Sequence, residues 1–190
     1  MYLIAGIKGV VDWSNMTQIP AQIVYKVLLI GDTRVGKSCL LKYENPPIPY
    51  TPNLGIDLSL KRINLKNEQE VLLQCWDLAG AETFRSIQYT YFSRCKACLV
   101  MFDVTSLSSF NNVTGWIKKI SDYGDQSNPL LYLVGSKIDL QDERVISSER
   151  AGIFADQLGL RYIEVSSFKK HNVKLIWQLV AEEIFNREEH

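Results

Sequence analysis

Apolar and polar positions along this chain follow two periods. Continuous apolar runs at residues 23–30 (IVYKVLLI), 97–104 (ACLVMFDV) and 130–134 (LLYLV) have the pattern of strands buried on both faces of a parallel sheet. Residues 54–65 (LGIDLSLKRINL) alternate instead. After Asn67-Glu68-Gln69-Glu70 comes the run 71–76 (VLLQCW), so an antiparallel hairpin is expected here. Helical spacing appears over 106–123, 147–158 and 172–186, with Ser or Asn as candidate N-caps. A short helix is expected from Ser38 and must stop before Pro46-Pro47, because proline cannot continue the backbone ladder. Strands alternating with helices give an α/β fold: about six strands in one mostly parallel sheet, with about five helices on its two faces.

The chain's 190 residues suit one domain. Residues 1–20 read as an N-terminal extension ending at Pro20, and residues 21–188 as the folded domain. The extension carries one basic residue, Lys8, and lacks the basic start and long apolar run of a secretory signal. Lys plus Arg and Asp plus Glu number 21 each. That balance argues against a nucleic-acid binder, whose affinity rests on clustered cations. Any bound anion must be held at a local site.

Four cysteines and no visible signal point to the reducing cytosol, hence a cytoplasmic location. Cys95 and Cys98 have CxxC spacing, but with two histidines in the chain they fall short of the usual four zinc ligands and read as buried residues. No apolar stretch approaches the roughly 18 residues needed to span a bilayer.

The chemistry concentrates after the first strand. Gly31-Asp32-Thr33-Arg34-Val35-Gly36-Lys37-Ser38 fits GxxxxGK[ST] and lies between a strand and a helix. Its backbone N–H groups can wrap a phosphate, Lys37 can reach the β and γ oxygens, and the Ser38 hydroxyl can ligate Mg²⁺. A second carboxylate for the metal belongs at the end of a neighbouring strand. Asp77 stands there, followed by Ala79 and Gly80, whose N–H could approach a γ-phosphate. Asp103, at the end of the next strand, reads as a loop cap.

Taken together these residues resemble the small GTPases of the Ras superfamily, closest to the Rab branch, over residues 25–185. Leu54-Gly55-Ile56-Asp57 resembles the end of switch I. Trp76-Asp77-Leu78-Ala79-Gly80-Ala81-Glu82 resembles the WDxAGQE of switch II, and Phe84-Arg85-Ser86-Ile87 with Tyr91-Phe92 is Rab-like. Ser136-Lys137-Ile138-Asp139 stands where the family has NKxD, and Ser166-Ser167-Phe168 where it has SAK. The resemblance implies a guanine-nucleotide-binding switch of vesicle traffic that uses GTP, GDP and Mg²⁺. The loop from Gly31 to Ser38 and the following Cys39 would hold phosphates, together with Gly80. Asp139 would select guanine, Lys137 would lie along the base, and Ser166, Ser167 and Phe168 would complete the base site.

Several positions depart from the pattern. Ser136 replaces asparagine and keeps only a hydroxyl, so guanine preference with somewhat lower affinity is expected. Asn53 stands where switch I has its Mg²⁺-sensing threonine. Either coupling to the γ-phosphate is impaired, or the asparagine carbonyl serves as the hard oxygen ligand, with Thr51 a weaker substitute. Ala81 occupies the place of the catalytic glutamine, and a methyl group cannot hold a water in line. Hydrolysis, intrinsically on the order of 10⁻⁴ s⁻¹ in such enzymes, should therefore be slow or nearly lost.

The resemblance also implies effector, exchange and activating proteins that read the switches. Trp76 and Tyr91 fit two positions of the aromatic cluster that Rab partners recognise, and Leu58 stands where phenylalanine is usual. Each also suits an ordinary half-buried sheet residue. No cysteine lies beyond Cys98, so the chain as given cannot be prenylated at its end. Membrane association is expected to be indirect, through recruitment to the cytosolic face of endomembranes, unless a tail is missing. Two rival readings remain: a pseudo-GTPase interaction module with little nucleotide cycling, and a P-loop kinase or ATPase.

Overall fold

The computed structural model describes residues 23–42, 57–78, 92–124 and 128–189. The extension 1–20 lies outside them. Elements follow in the order β1 (Ile23–Ile30), α1 (Lys37–Lys42), β2 (Asp57–Asn64), β3 (Glu70–Asp77), β4 (Ala97–Asp103), α2 (Leu107–Asn111), α3 (Val113–Tyr123), β5 (Leu130–Ser136), α4 (Ser148–Gln157), β6 (Arg161–Glu164) and α5 (Val173–Glu188). A single 3₁₀ turn, Gln141–Glu143, precedes α4.

The sheet order is β2-β3-β1-β4-β5-β6. Only β2–β3 is antiparallel, which makes it the expected hairpin; the other pairs are parallel. Alternate residues of each strand feed two separate cores. Val27 and Leu29 of β1, Leu99 and Met101 of β4 and Val134 of β5 pack with Leu40 of α1 and Val173, Ile176, Trp177 and Ile184 of α5. Leu28, Val100, Phe102 and Leu133 face the other way, onto Phe110, Val113 and Ile120 of α2–α3 and Ala151 and Ala155 of α4. Both faces of the central strands are thus covered, and β4 is buried along its whole length. This is why its sequence shows a continuous apolar run rather than alternation.

The helices differ from expectation in two details. The segment expected as one helix over 106–123 is broken at Asn112, whose backbone lies between α2 and α3. Ser106 and Ser147 cap as expected, each accepting from the N–H three residues on. Asn172 does not: it sits in the left-handed region at φ 56° and makes no side-chain cap. Its Nδ2 instead donates to the carbonyl of Glu164, tying α5 to the end of β6.

Strands β3, β1, β4, β5 and β6 run in one direction, so their C-terminal ends share one edge of the sheet. The loops that leave this edge carry almost every residue the sequence singled out. Ligands of open α/β sheets bind at this edge.

Candidate functional site

The loop after β1 has a backbone that few residues permit. Gly31 adopts φ 138°, and a Cβ there would lie 2.2 Å from the Met101 carbonyl oxygen. Glycine alone lets β1 end this close to β4. Arg34 at φ 64° and Gly36 at φ 99° complete two further left-handed turns of the loop. Lys37, at the start of α1, is buried, and its Nζ donates to the carbonyls of Gly31 at 2.7 Å and Asp32 at 2.6 Å. The loop is thereby closed around its own ammonium. Thr33, Arg34 and Cys39 are exposed.

One residue further on, the Ser38 hydroxyl donates to Asp77 Oδ2 at 2.5 Å. The pairing of β1 with β3, which sets Leu29 beside Asp77, carries this carboxylate to the loop from 39 positions away. Asp77 is fully buried.

A third group comes from the loops after β5 and β6. Ser136 Oγ lies 2.5 Å from the Val35 carbonyl and 2.8 Å from that of Phe102. Its single proton serves one of these at a time, so the hydroxyl holds the phosphate-loop backbone against β4. Lys137, at φ 62°, turns its ammonium to Asp103, 2.5 Å from Oδ2. Asp103 also accepts from the Thr105 N–H and hydroxyl, the capping expected of it. Burial pushes the Asp103 carboxyl up, but the bonds from Lys137 and Thr105 outweigh that and hold it below its usual range.

Asp139 receives the Ser166 hydroxyl at 2.5 Å on Oδ1, and Ser166 in turn accepts from the Lys169 N–H at 2.9 Å. One carboxylate oxygen is thus fixed by a buried serine. Gly36, Cys39, Lys42, Ser136, Lys137, Asp139, Ser167 and Phe168 line one pocket of about 510 Å³. Phe168 is 82% exposed at its rim, which is unusual for a phenyl ring.

The β6 end of this pocket is pinned by a network that the sequence did not suggest. Glu164 accepts Arg144 in a two-pronged pair at 2.8 and 3.1 Å, together with the hydroxyls of Ser148 and Tyr162. Burial pushes the Glu164 carboxyl up, but these donors pull it down further, so its net shift is downward. A carboxyl depressed on folding stabilises the protein above its unfolded pKa of about 4.3 and loses that contribution as pH falls through the folded value. Glu164→Gln should therefore cost about 2 kcal/mol at pH 7 and less at about pH 3, below the unfolded value. Urea unfolding at the two pH values measures it; equal losses at both would show that the charge is not the cause.

Asn53, Thr51, Gly80, Ala81 and Tyr91 lie outside the described residues. Leu58 and Trp76, half-buried, are direct partners across the β2–β3 ladder. The Lys26 ammonium sits 5.4 Å from the Trp76 ring centroid. Cys95 and Cys98 are buried with their sulfurs 3.4 Å apart. No helix among the described residues is long and apolar enough to cross a membrane.

A glycine-bounded loop between the first strand and helix, closed by a lysine and followed by a serine bonded to a strand-end aspartate, defines a phosphate-loop protein of the α/β class. Residues 26–186 match the family model described as the Ras family. The chain is 39% identical to the Ras-related protein RABD2c of Arabidopsis thaliana over 154 residues, covering 80% of this chain and 75% of that protein. It is 37% identical to the Ras-related protein RIC1 of Oryza sativa subsp. japonica over 167 residues, covering 86% of this chain and 82% of that one. The chain belongs to the Ras family and is a Rab-like small GTPase.

Proposed function

We propose that this protein is a guanine-nucleotide switch of intracellular vesicle traffic that binds GTP and GDP with Mg²⁺ and hydrolyses GTP slowly. The observation that carries the reading is the convergence at one sheet edge of the closed loop at residues 31–38, the Ser38–Asp77 pair and the pocket bearing Asp139. The donor set suits the ligand. Ser38 and Asp77 offer two hard oxygens side by side, the chemistry Mg²⁺ selects. When bound, the ion neutralises charge on the phosphate oxygens.

The chain's own residues do the rest. Lys37 exchanges the Gly31 and Asp32 carbonyls for phosphate oxygens, while the N–H groups of the loop and of Gly80 serve the same anion. Asn53 either supplies a carbonyl oxygen to the metal or leaves the γ-phosphate weakly sensed. Ser166 fixes the rotation of Asp139, so its carboxylate meets the paired N–H donors of a guanine in one orientation. A base without those donors would leave the charge unpaired. Ser136 ties the loop to β4 through its hydroxyl. Ser167 lends its backbone N–H, and Phe168 covers the base edge. Leu58 and Trp76, adjacent in the sheet, are read by effector proteins, as is Tyr91, and the protein works in the cytoplasm or is recruited to endomembranes by such a partner.

Fluorescent GDP, GTP and ATP titrated with and without Mg²⁺ test the reading. Tight GDP and GTP binding that weakens on Mg²⁺ removal is expected; no binding would favour a nucleotide-free interaction module, and ATP preference a P-loop kinase or ATPase. Ala81 sets the rate. Ala81→Gln is expected to raise single-turnover phosphate release about tenfold or more, since it returns a side chain able to orient the attacking water. An unchanged rate in a variant that still binds nucleotide would remove Ala81 from the explanation.

A further inference from the structure

The phosphate loop is held by three kinds of contact, and one of them belongs to no motif. Ser136 holds the Val35 carbonyl and Lys37 holds those of Gly31 and Asp32. The third grips the Asp32 side chain: Trp116 Nε1 donates to Oδ1 at 2.8 Å and Asn112 Nδ2 donates to Oδ2 at 2.7 Å. Both oxygens of a half-buried carboxylate are thus taken by neutral donors 84 and 80 positions further along the chain.

Asn112 departs from its local role to do this. It occupies the N-cap of α3, where asparagine normally accepts from a helix N–H. Here its backbone is already helical, at φ −76° and ψ −9°, and it makes no side-chain cap. The helix is interrupted at this residue and its amide is committed to the loop. The Asn112 N–H bonds the Ser108 carbonyl and its own carbonyl accepts from the Trp116 N–H, so with the main chain satisfied the side chain is spent on the loop.

We propose that Trp116 and Asn112 are positioning residues for nucleotide binding, acting through Asp32 to hold the phosphate loop in its anion-accepting shape. This rests on reading residues 31–38 as the phosphate site. The physical need arises from Lys37. Its ammonium closes the loop by bonding two of the loop's own carbonyls, and those bonds weaken whenever it turns to a phosphate. The Asp32 clamp does not share a donor with the phosphate and stays intact through the exchange. It also makes the junction of α2 and α3 a point from which nucleotide release is governed.

A donor–acceptor exchange tests this. N112D sets two carboxylates together at this contact, and W116F removes the indole N–H while keeping an aromatic ring. Each is expected to speed dissociation of fluorescent GDP about tenfold, the factor that a hydrogen bond to a charged group represents. In D32N/N112D the amide introduced at position 32 donates to the carboxylate introduced at position 112, while its own oxygen still accepts from Trp116. Release should then return to within about twofold of wild type. A loss of packing alone would not be rescued by this exchange. Wild-type release from N112D, or a double variant that unfolds at the wild-type midpoint yet stays fast, overturns the proposal. Amide hydrogen exchange of residues 33–37 gives a readout independent of ligand: protection should fall in N112D and recover in the double variant. If the wild type fails to bind GDP, the phosphate-site reading falls, and unchanged loop protection in N112D would still overturn the clamp on its own.

Discussion

Gly31→Ala is expected to destabilise the protein by about 3 kcal/mol or more and to abolish nucleotide binding. The added methyl would meet the Met101 carbonyl at 2.2 Å, at a backbone angle of φ 138° that alanine rarely adopts. Neither side can yield cheaply. Met101 lies in β4, buried on both faces and paired with β1 on one side and β5 on the other. Opening the β1–β4 contact would shift Val35 and Ser38 away from Ser136 and Asp77. Urea unfolding and fluorescent GDP binding measure the two effects. A variant of wild-type stability would mean that the end of β1 is not fixed by β4.

Lys37→Ala is expected to lower affinity for GDP and GTP about a thousandfold, the consequence of removing one partner from a desolvated charge contact. The same change also takes away the donor that closes the loop on the Gly31 and Asp32 carbonyls. Stability without nucleotide should fall by only about 1–3 kcal/mol, the cost of leaving the buried Gly31 carbonyl without its donor. Titration with fluorescent nucleotide against thermal unfolding of the nucleotide-free protein separates the two. Equal affinity in the variant would place the phosphates elsewhere.

The strands that carry the two cores are legible because burial on both faces writes an unbroken apolar run, as in 97–104. In β2 the alternation marks a strand but not its buried face, since Ser59 and Lys61 are buried while Leu58 and Leu60 are half-exposed. The apolar pattern does not locate β6. Of its four residues, Arg161–Glu164, only Tyr162 and Ile163 pack against the cores, one on each, while Arg161 and Glu164 serve ion pairs with Glu183 and Arg144, so no apolar run forms. The break at Asn112 is equally silent, since apolar spacing continues through it, and so is the bond of its side chain to Asp32. For the site, residues 31–38, Asp77 and Asp139 are readable because each acts through its own chemistry at a fixed motif position. Trp116, Asn112 and Arg144 act through another residue, and nothing local marks such a role.

The position of β1 in the sheet bears on how the protein is made. The phosphate loop is encoded near the start of the chain, yet β1 lies between β3 and β4. One of its faces is covered largely by α5, which is encoded at the other end. During synthesis the loop therefore emerges long before its support. Val27 and Leu29 gain the α5 part of their cover only once Val173–Glu188 is made, and Asp139 gains Ser166 shortly before that. Completion of the support beneath the loop is in this sense a late event of chain synthesis.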